Sequence, residues 1–337
     1  MAKTSGLSKR QISIREKKYN VDFRTAEQIA RYGFEFYFDR FISEILPYLK
    51  KVAVVKDSAT LDASVEDYEE LKLLLDRISN QTLETFNALR FEQEYNRVFQ
   101  NIENKKKAGF EQELFKKLAI KPNARFMSPI EQALKTRIEM QIAGIAESFS
   151  KVSKIENRTL SDNLVSKQRE EINAVTNRVL QGVKAGERWE SISKSILGRV
   201  DPKNSTQVVK AAAKDGNQQA KKMLNRARFI ARNAVSTAQG EYDKQLQTAS
   251  GIALYRWQTS EDERVRPTHA SLDGKVFAWE PGTRAPKDIT IDGKTYSKGD
   301  IIPTAKDPNY NGGAPTIPGQ PFNCRCVALA VIEGIDY

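Results

Sequence analysis

Apolar residues between Phe23 and about Val200 recur every third or fourth position among long runs of good helix formers, a spacing that predicts amphipathic helices. Leu71, Leu74, Leu75 and Ile78 mark one apolar face, and Tyr95, Val98, Phe99 and Ile102 mark another. Breaks are expected at Pro47, across 57–64, at Gly109, and across 121–129, which holds two prolines. Ile172, Val175, Val179 and Val183 form a stripe that stops near Gly186. Trp189, Ile192 and Ile196 continue on a shorter helix ending near Gly198, so the pair predicts a helical hairpin. The polar stretch 201–219, with Asp-Pro, Asn-Ser and Asp-Gly pairs, is expected to be a mobile loop or a partly frayed helix. Helix resumes with Ala227, Ile230, Ala231, Ala234 and Ala238 on one small-residue face suited to close packing.

After Gly251 the period changes from helical to alternating. Tyr255–Trp257 and Val276–Trp279 read as short strands, 289–296 as a hairpin turning at Asp292-Gly293, and Cys326–Ile332 as a final strand. The expected fold is mainly α, with a small C-terminal α+β domain whose short mixed or antiparallel sheet follows residue 250. The expected division is a basic tail over 1–20, a helical region over 21–125, and a third region over 126–337 that is helical to 250 and α+β thereafter.

Composition changes this picture in two ways. Hydrophobic residues at 39% against 29% charged, with aromatics spread throughout, argue against a disordered chain. No stretch approaches the roughly 18 apolar residues of a membrane span, and the charged N-terminus lacks a following apolar segment, so a soluble, unexported protein without membrane partners is expected. The net charge of +11 favours polyanions such as nucleic acid, although a solvated basic surface is the plainer reading. Two clusters localise it: Lys9, Arg10, Arg15, Lys17 and Lys18, and then Lys105, Lys106 and Lys107. Neither interleaves aromatics or carries a base-reading signature, so the expected contact is with double-stranded DNA irrespective of sequence.

The densest chemistry lies between Trp257 and Gly274, where the chain's single histidine falls, and at Pro321–Cys326. Asp262, His269, Cys324 and Cys326 are side-chain types of a tetrahedral zinc site, and the period of an extended strand would turn both thiols of a Cys-x-Cys to one face. The alternative is a hydrogen-bonded clasp. In that case His269 meets Asp262 or a carbonyl, Arg266 pairs with Asp262 or Asp273, no cofactor is held, and the cysteines pack as small apolar groups. A disulfide between residues so close would be strained. Trp257, Phe277 and Trp279 are expected to form the core of the small sheet. A third alternative is an enzyme acting on nucleic acid or protein through this cluster, but no phosphate loop, nucleophile elbow or two-metal carboxylate pattern accompanies it.

These residues resemble the signature of the Mu-F-like head morphogenesis family of tailed phages, in which Trp-x-Thr leads into Asp-x-x-Val-Arg-x-x-His with a following Gly and the domain closes on Asn-Cys-Arg-Cys. Trp257, Thr259, Asp262, Val265, Arg266, His269, Gly274, Asn323, Cys324, Arg325 and Cys326 match position by position. The segment 180–196 is similar to the family's helical hairpin, and Ile230-Ala231-Arg232 to its Ile-Ala-Arg-Thr-Glu helix. Asn233 and Ala234 depart from that pattern, and Glu241 is the candidate to take over the missing glutamate's contact. The match spans roughly 126–332. With Tyr337 just past the motif, no appended toxin domain such as some members carry is expected. The resemblance implies a non-enzymatic minor head protein in the virion head interior near the portal, present in host cytoplasm during assembly. Its implied partners are the portal protein and the major capsid or scaffolding protein, and its implied role is procapsid assembly and DNA packaging or delivery.

Overall fold

The helical period of the first two hundred residues is realised as long helices. The computed structural model describes residues 23–53, 65–122, 124, 127–214, 218–260, 263–291, 293–332 and 336. Its helices are α1 (Phe23–Arg40), α2 (Leu46–Val52), α3 (Val65–Thr85), α4 (Ala88–Lys117), α5 (Pro129–Gly144), α6 (Ala146–Lys184), α7 (Trp189–Leu197), α8 (Ser205–Lys214), α9 (Gln219–Ala249) and the short α10 (Pro267–Ala270). The strands are β1 (Leu254–Gln258), β2 (Val276–Ala278), β3 (Ile289–Ile291), β4 (Lys294–Tyr296) and β5 (Val327–Val331). The mainly α architecture with a small antiparallel C-terminal sheet is the one the periodicity predicts. Among the described residues no helix is long and apolar enough to cross a membrane.

The described residues divide into two compact units, one within 24–95 and 158–231 and the other comprising Phe23 and those within 96–157 and 232–336. In the first, the predicted stripes are the buried faces. Leu71, Leu75 and Ile78, then Ile172, Val175, Val179 and Val183, then Ile192 and Ile196 are all buried. The hairpin is closed by Gly186 at φ 74, whose N–H reaches Val183 O at 3.0 Å while Glu187 N reaches Gly182 O at 2.9 Å. Gly198, also at φ 74, ends α7.

Two expectations are corrected here, and one alternative is decided. Pro47 does not break the helix. Phe41–Ile45 widens into one π turn, in which Leu46 N–H bonds Phe41 O five residues back, and the proline sits at the start of α2, where its missing N–H costs little. Gly109 does not break α4, which runs through it, because an isolated helical glycine costs only about 1 kcal/mol against the packing on either side. Of the two alternatives for 201–219 the helical one is found, as the ten-residue helix α8 with Val208, Ala211 and Ala212 buried. Its first turn is held by Asp39, whose carboxylate accepts from Ser205 N at 2.6 Å and from Ser205 Oγ at 2.9 Å.

In the second unit a three-stranded antiparallel sheet has the order β2-β1-β5, with Leu254 opposite Ala278 and Val331, and Trp257 opposite Ala328. The hairpin of β3 and β4 pairs Ile289 with Tyr296 around Gly293 at φ 78, while Asp292 lies outside the described residues. Tyr255, Trp257, Phe277 and Trp279 share one buried cluster with Cys324 and Cys326, so these aromatics are core as expected. From α9, buried Gln247 donates to Ala328 O at 3.1 Å and accepts from Trp279 Nε1 at 3.1 Å, tying the helix to the sheet. The last strand begins at Val327 rather than Cys326, so the Cys-x-Cys pair precedes it.

On α6, burial and the nearby Glu241 push the half-buried Glu156 carboxyl up from 4.5 to about 7. Tyr242, beside it and pushed up to about 12 chiefly by burial, stays neutral in this range. The native state therefore holds a proton that the unfolded chain releases, and Glu156 weakens the fold as pH rises from 4.5 to about 7. Glu156→Gln is expected to flatten that slope and to stabilise the protein at pH 8 by about 1–2 kcal/mol, a figure discounted for partial exposure. Urea midpoints at pH 5 and 8 check this, and a variant with the same pH slope as the wild type would contradict it.

Candidate functional site

His269 is placed by a short helix whose start the sequence dictates. Arg266 is extended, as a residue before proline must be, and Pro267 opens α10, so the imidazole two residues on is fully buried. The loop carrying it closes at Gly274, at φ 74, whose N–H bonds Trp257 O at 2.8 Å. Asp273 steadies the same loop by accepting from Thr259 N at 2.7 Å. Opposite, Asn323 at φ 53 turns the chain so that Cys324 and Cys326 both face inward. Its N–H donates to Asn233 Oδ1 at 2.7 Å, so Asn233 on α9 holds the turn of the Cys-x-Cys motif. Glu241 supports the preceding loop by accepting from Gln320 Nε2 at 2.8 Å.

The imidazole and both sulfurs meet. Nδ1 of His269 lies 3.5 Å from Cys326 Sγ and 3.8 Å from Cys324 Sγ, and all three donor atoms lie within 4.8 Å of one another. Both cysteines are free thiols, 2% and 8% exposed. On the far side of the ring, Nε2 lies 2.9 Å from Asp307 Oδ2, a carboxylate with no exposed side-chain surface. Asp307 Oδ1 in turn accepts from Asn309 N at 3.0 Å. The Trp257 ring stands edge-on to the imidazole at 5.6 Å.

The two thiols and the ring are shifted in different directions by their shared contacts. Burial pushes the Cys324 thiol up, but contacts from Cys326 and His269 and the Gly319 N–H at 3.3 Å outweigh it and hold Cys324 well below an ordinary thiol. Cys326 is raised, first by that neighbour and then by burial. Burial lowers the His269 ring, yet Cys324 and Asp307 together raise it above its ordinary value. Burial likewise raises Asp307, but Asn309 and His269 hold it below the usual carboxylate range.

A cavity of about 420 Å³ opens onto this cluster, lined among others by Arg232, Arg264, Arg266, Arg325, Ser236 and Ser260. Arg266 donates to the Phe322 carbonyl, tying the His269 loop to the Cys-x-Cys segment. Asp262 lies outside the described residues, as do Lys9, Arg10, Arg15, Lys17 and Lys18. Of the second basic run, Lys105 is exposed, Lys106 pairs with Asp243 at 2.6 Å in a half-buried bridge, and Lys107 pairs with Glu103 at 2.7 Å. Asp307 escaped the sequence reading: it sits in the aperiodic stretch before Pro308, where an aspartate looks like any other turn residue.

Comparison with known proteins bears out the resemblance over the second half of the chain. Residues 173–329 match the family model described as Phage Mu protein F like protein. A Haemophilus influenzae protein, described as uncharacterized, is 26% identical over 166 residues, which cover 49% of this chain and 30% of that protein's length. No solved structure matches.

Proposed function

We propose, from a region at 173–329 that is Mu protein F-like, that the chain is a structural minor head protein of a tailed phage, portal-associated and acting in procapsid assembly and in DNA packaging or delivery. The observation that carries this reading is the matched region itself, which contains the helical hairpin, the His269 loop and the Cys-x-Cys segment. The reading extends the head-morphogenesis region to 126–337 and places the protein in the head interior. The portal protein and the major capsid or scaffolding protein are its proposed partners. Mass spectrometry of purified virions and procapsids tests it, and absence from both would remove it.

Double-stranded DNA is the further proposed partner, contacted irrespective of sequence. Lys106 and Lys107 are engaged with carboxylates, which leaves Lys9, Arg10, Arg15, Lys17, Lys18 and Lys105 as the proposed phosphate contacts. Six such contacts predict an affinity loss of about 10³ between roughly 50 and 200 mM salt, because each neutralised phosphate releases counterions. A duplex-binding titration at the two salt concentrations reads this directly, and equal affinities would exclude the electrostatic mode.

A second reading, an enzyme working through a thiol, draws on the Asp307, His269 and Cys324 sequence of contacts. Two features favour a structural clasp instead: both sulfurs are buried, and Cys326 occupies the same imidazole nitrogen at the shorter distance. Folded Cys324→Ser chains that enter heads normally but lose a hydrolytic or transfer reaction would decide for the enzyme.

A further inference from the structure

We infer that His269 Nδ1, Cys324 Sγ and Cys326 Sγ are three ligands of one zinc ion, with Asp307 as the outer carboxylate that orients the imidazole. This rests on the reading of the cluster as structural and gives that clasp its chemistry. With zinc–sulfur bonds of about 2.3 Å and zinc–nitrogen bonds of about 2.0–2.1 Å, a tetrahedron places sulfur about 3.6 Å from nitrogen and about 3.8 Å from the other sulfur. The observed nitrogen–sulfur separations are 3.5 and 3.8 Å. The sulfur–sulfur separation is within 4.8 Å, so closure on a metal needs no more than a rotamer adjustment.

Three further features point to thiolates under a metal rather than to packed thiols. Asp307 Oδ2 lies 2.9 Å from Nε2, and the tautomer that donates there turns the Nδ1 lone pair to the sulfurs, the outer-shell arrangement that fixes a zinc-bound histidine. Two backbone N–H groups, Gly319 at 3.3 Å and Cys326 at 3.4 Å, converge on Cys324 Sγ; a neutral thiol is a weak acceptor, whereas a thiolate suits two donors. The buried indole N–H of Trp257, in the same cluster as Cys326, has no nitrogen or oxygen partner among the described residues.

Among the described residues no fourth ligand completes the shell, and the side that remains faces the arginine-lined cavity. Water or a small anion from that cavity takes the fourth position. The metal would join α10 to the segment leading into β5, which the Arg266 contact with the Phe322 carbonyl also links.

The test uses the full chain expressed in zinc-supplemented medium. Elemental analysis should find about one zinc per chain. Cobalt(II) titrated into chelator-treated protein should produce intense visible bands of a tetrahedral ion together with near-ultraviolet thiolate charge-transfer bands, both abolished by zinc. Cys326→Ser should lose the charge-transfer intensity. Asp307→Asn should keep the bands but weaken zinc by about 10- to 100-fold in competition with a chromophoric chelator, a readout that a merely structural change would not produce with the spectrum intact. Wild-type protein holding less than about a tenth of a zinc per chain, with no charge-transfer band on cobalt addition, overturns the inference whatever the variants do. Such a result leaves the head-protein reading standing, since virion mass spectrometry decides that separately.

Discussion

Trp257→Ala is expected to lower the unfolding free energy by about 3–5 kcal/mol, as deletion of a fully buried large aromatic does. The side chain has no exposed surface and sits on β1, the centre strand between β2 and β5. Its loss opens a cavity that the sheet cannot collapse into without shifting two strand pairings. The second consequence is local. The ring stands edge-on to His269 at 5.6 Å and shares its cluster with both cysteines, so its removal exposes the sulfurs to solvent. Urea unfolding should show the lower stability, and a thiol reagent should modify Cys324 and Cys326 in the variant under native conditions faster than in the wild type. Trp257→Phe retains most of the volume and should cost about 1–3 kcal/mol. A cost below about 1 kcal/mol for the alanine variant would mean that the cluster is not the core of this unit.

How far such a site can be read from sequence is shown by which of its parts are local. His269, Cys324 and Cys326 are rare residue types in motif spacing, and they do come together, with the Trp257 ring beside them. Asp307 was not legible: its role depends on a contact 38 positions away, and neither its neighbours nor its period distinguish it. The same limit governs the fold. The stripes of α3, α6 and α7 were visible because burial imposes a 3.6-residue period on each helix by itself. Helix α8 was legible only as one of two alternatives because its Asn204-Ser205 start reads as a turn pair. Asn204 caps the helix locally through Gln207 N at 3.1 Å, while the carboxylate that satisfies Ser205 comes from Asp39, 166 positions earlier. Pro47 misled for a related reason. Proline excludes an ordinary α turn before it, but the chain had a wider turn available.

Gly240→Ala is expected to destabilise the protein by about 2–3 kcal/mol, against the usual gain of up to about 1 kcal/mol for the same change inside a helix. The reversal follows from what an added Cβ meets. At Gly240 on α9 it would stand 2.0 Å from the Pro318 carbonyl oxygen, a backbone atom that cannot swing aside. The loop is held against the helix from the other side as well, since a Cβ on Gly319, at φ 98, would stand 2.3 Å from Ser236 O. Helix and loop therefore touch backbone to backbone, and the loop carries the Gly319 N–H that donates to Cys324 Sγ at 3.3 Å. Pushing the loop off α9 should thus loosen the cluster, and a thiol reagent should find Cys324 more reactive in Gly240→Ala than in the wild type. Gly109→Ala is the matched control: it lies mid-helix in α4 with nothing within 4 Å of the added Cβ, and should gain up to about 1 kcal/mol with no change in thiol reactivity. If the two substitutions shift the urea midpoint in the same direction, the backbone contact between α9 and the Pro318-Gly319 loop is not what requires glycine at 240.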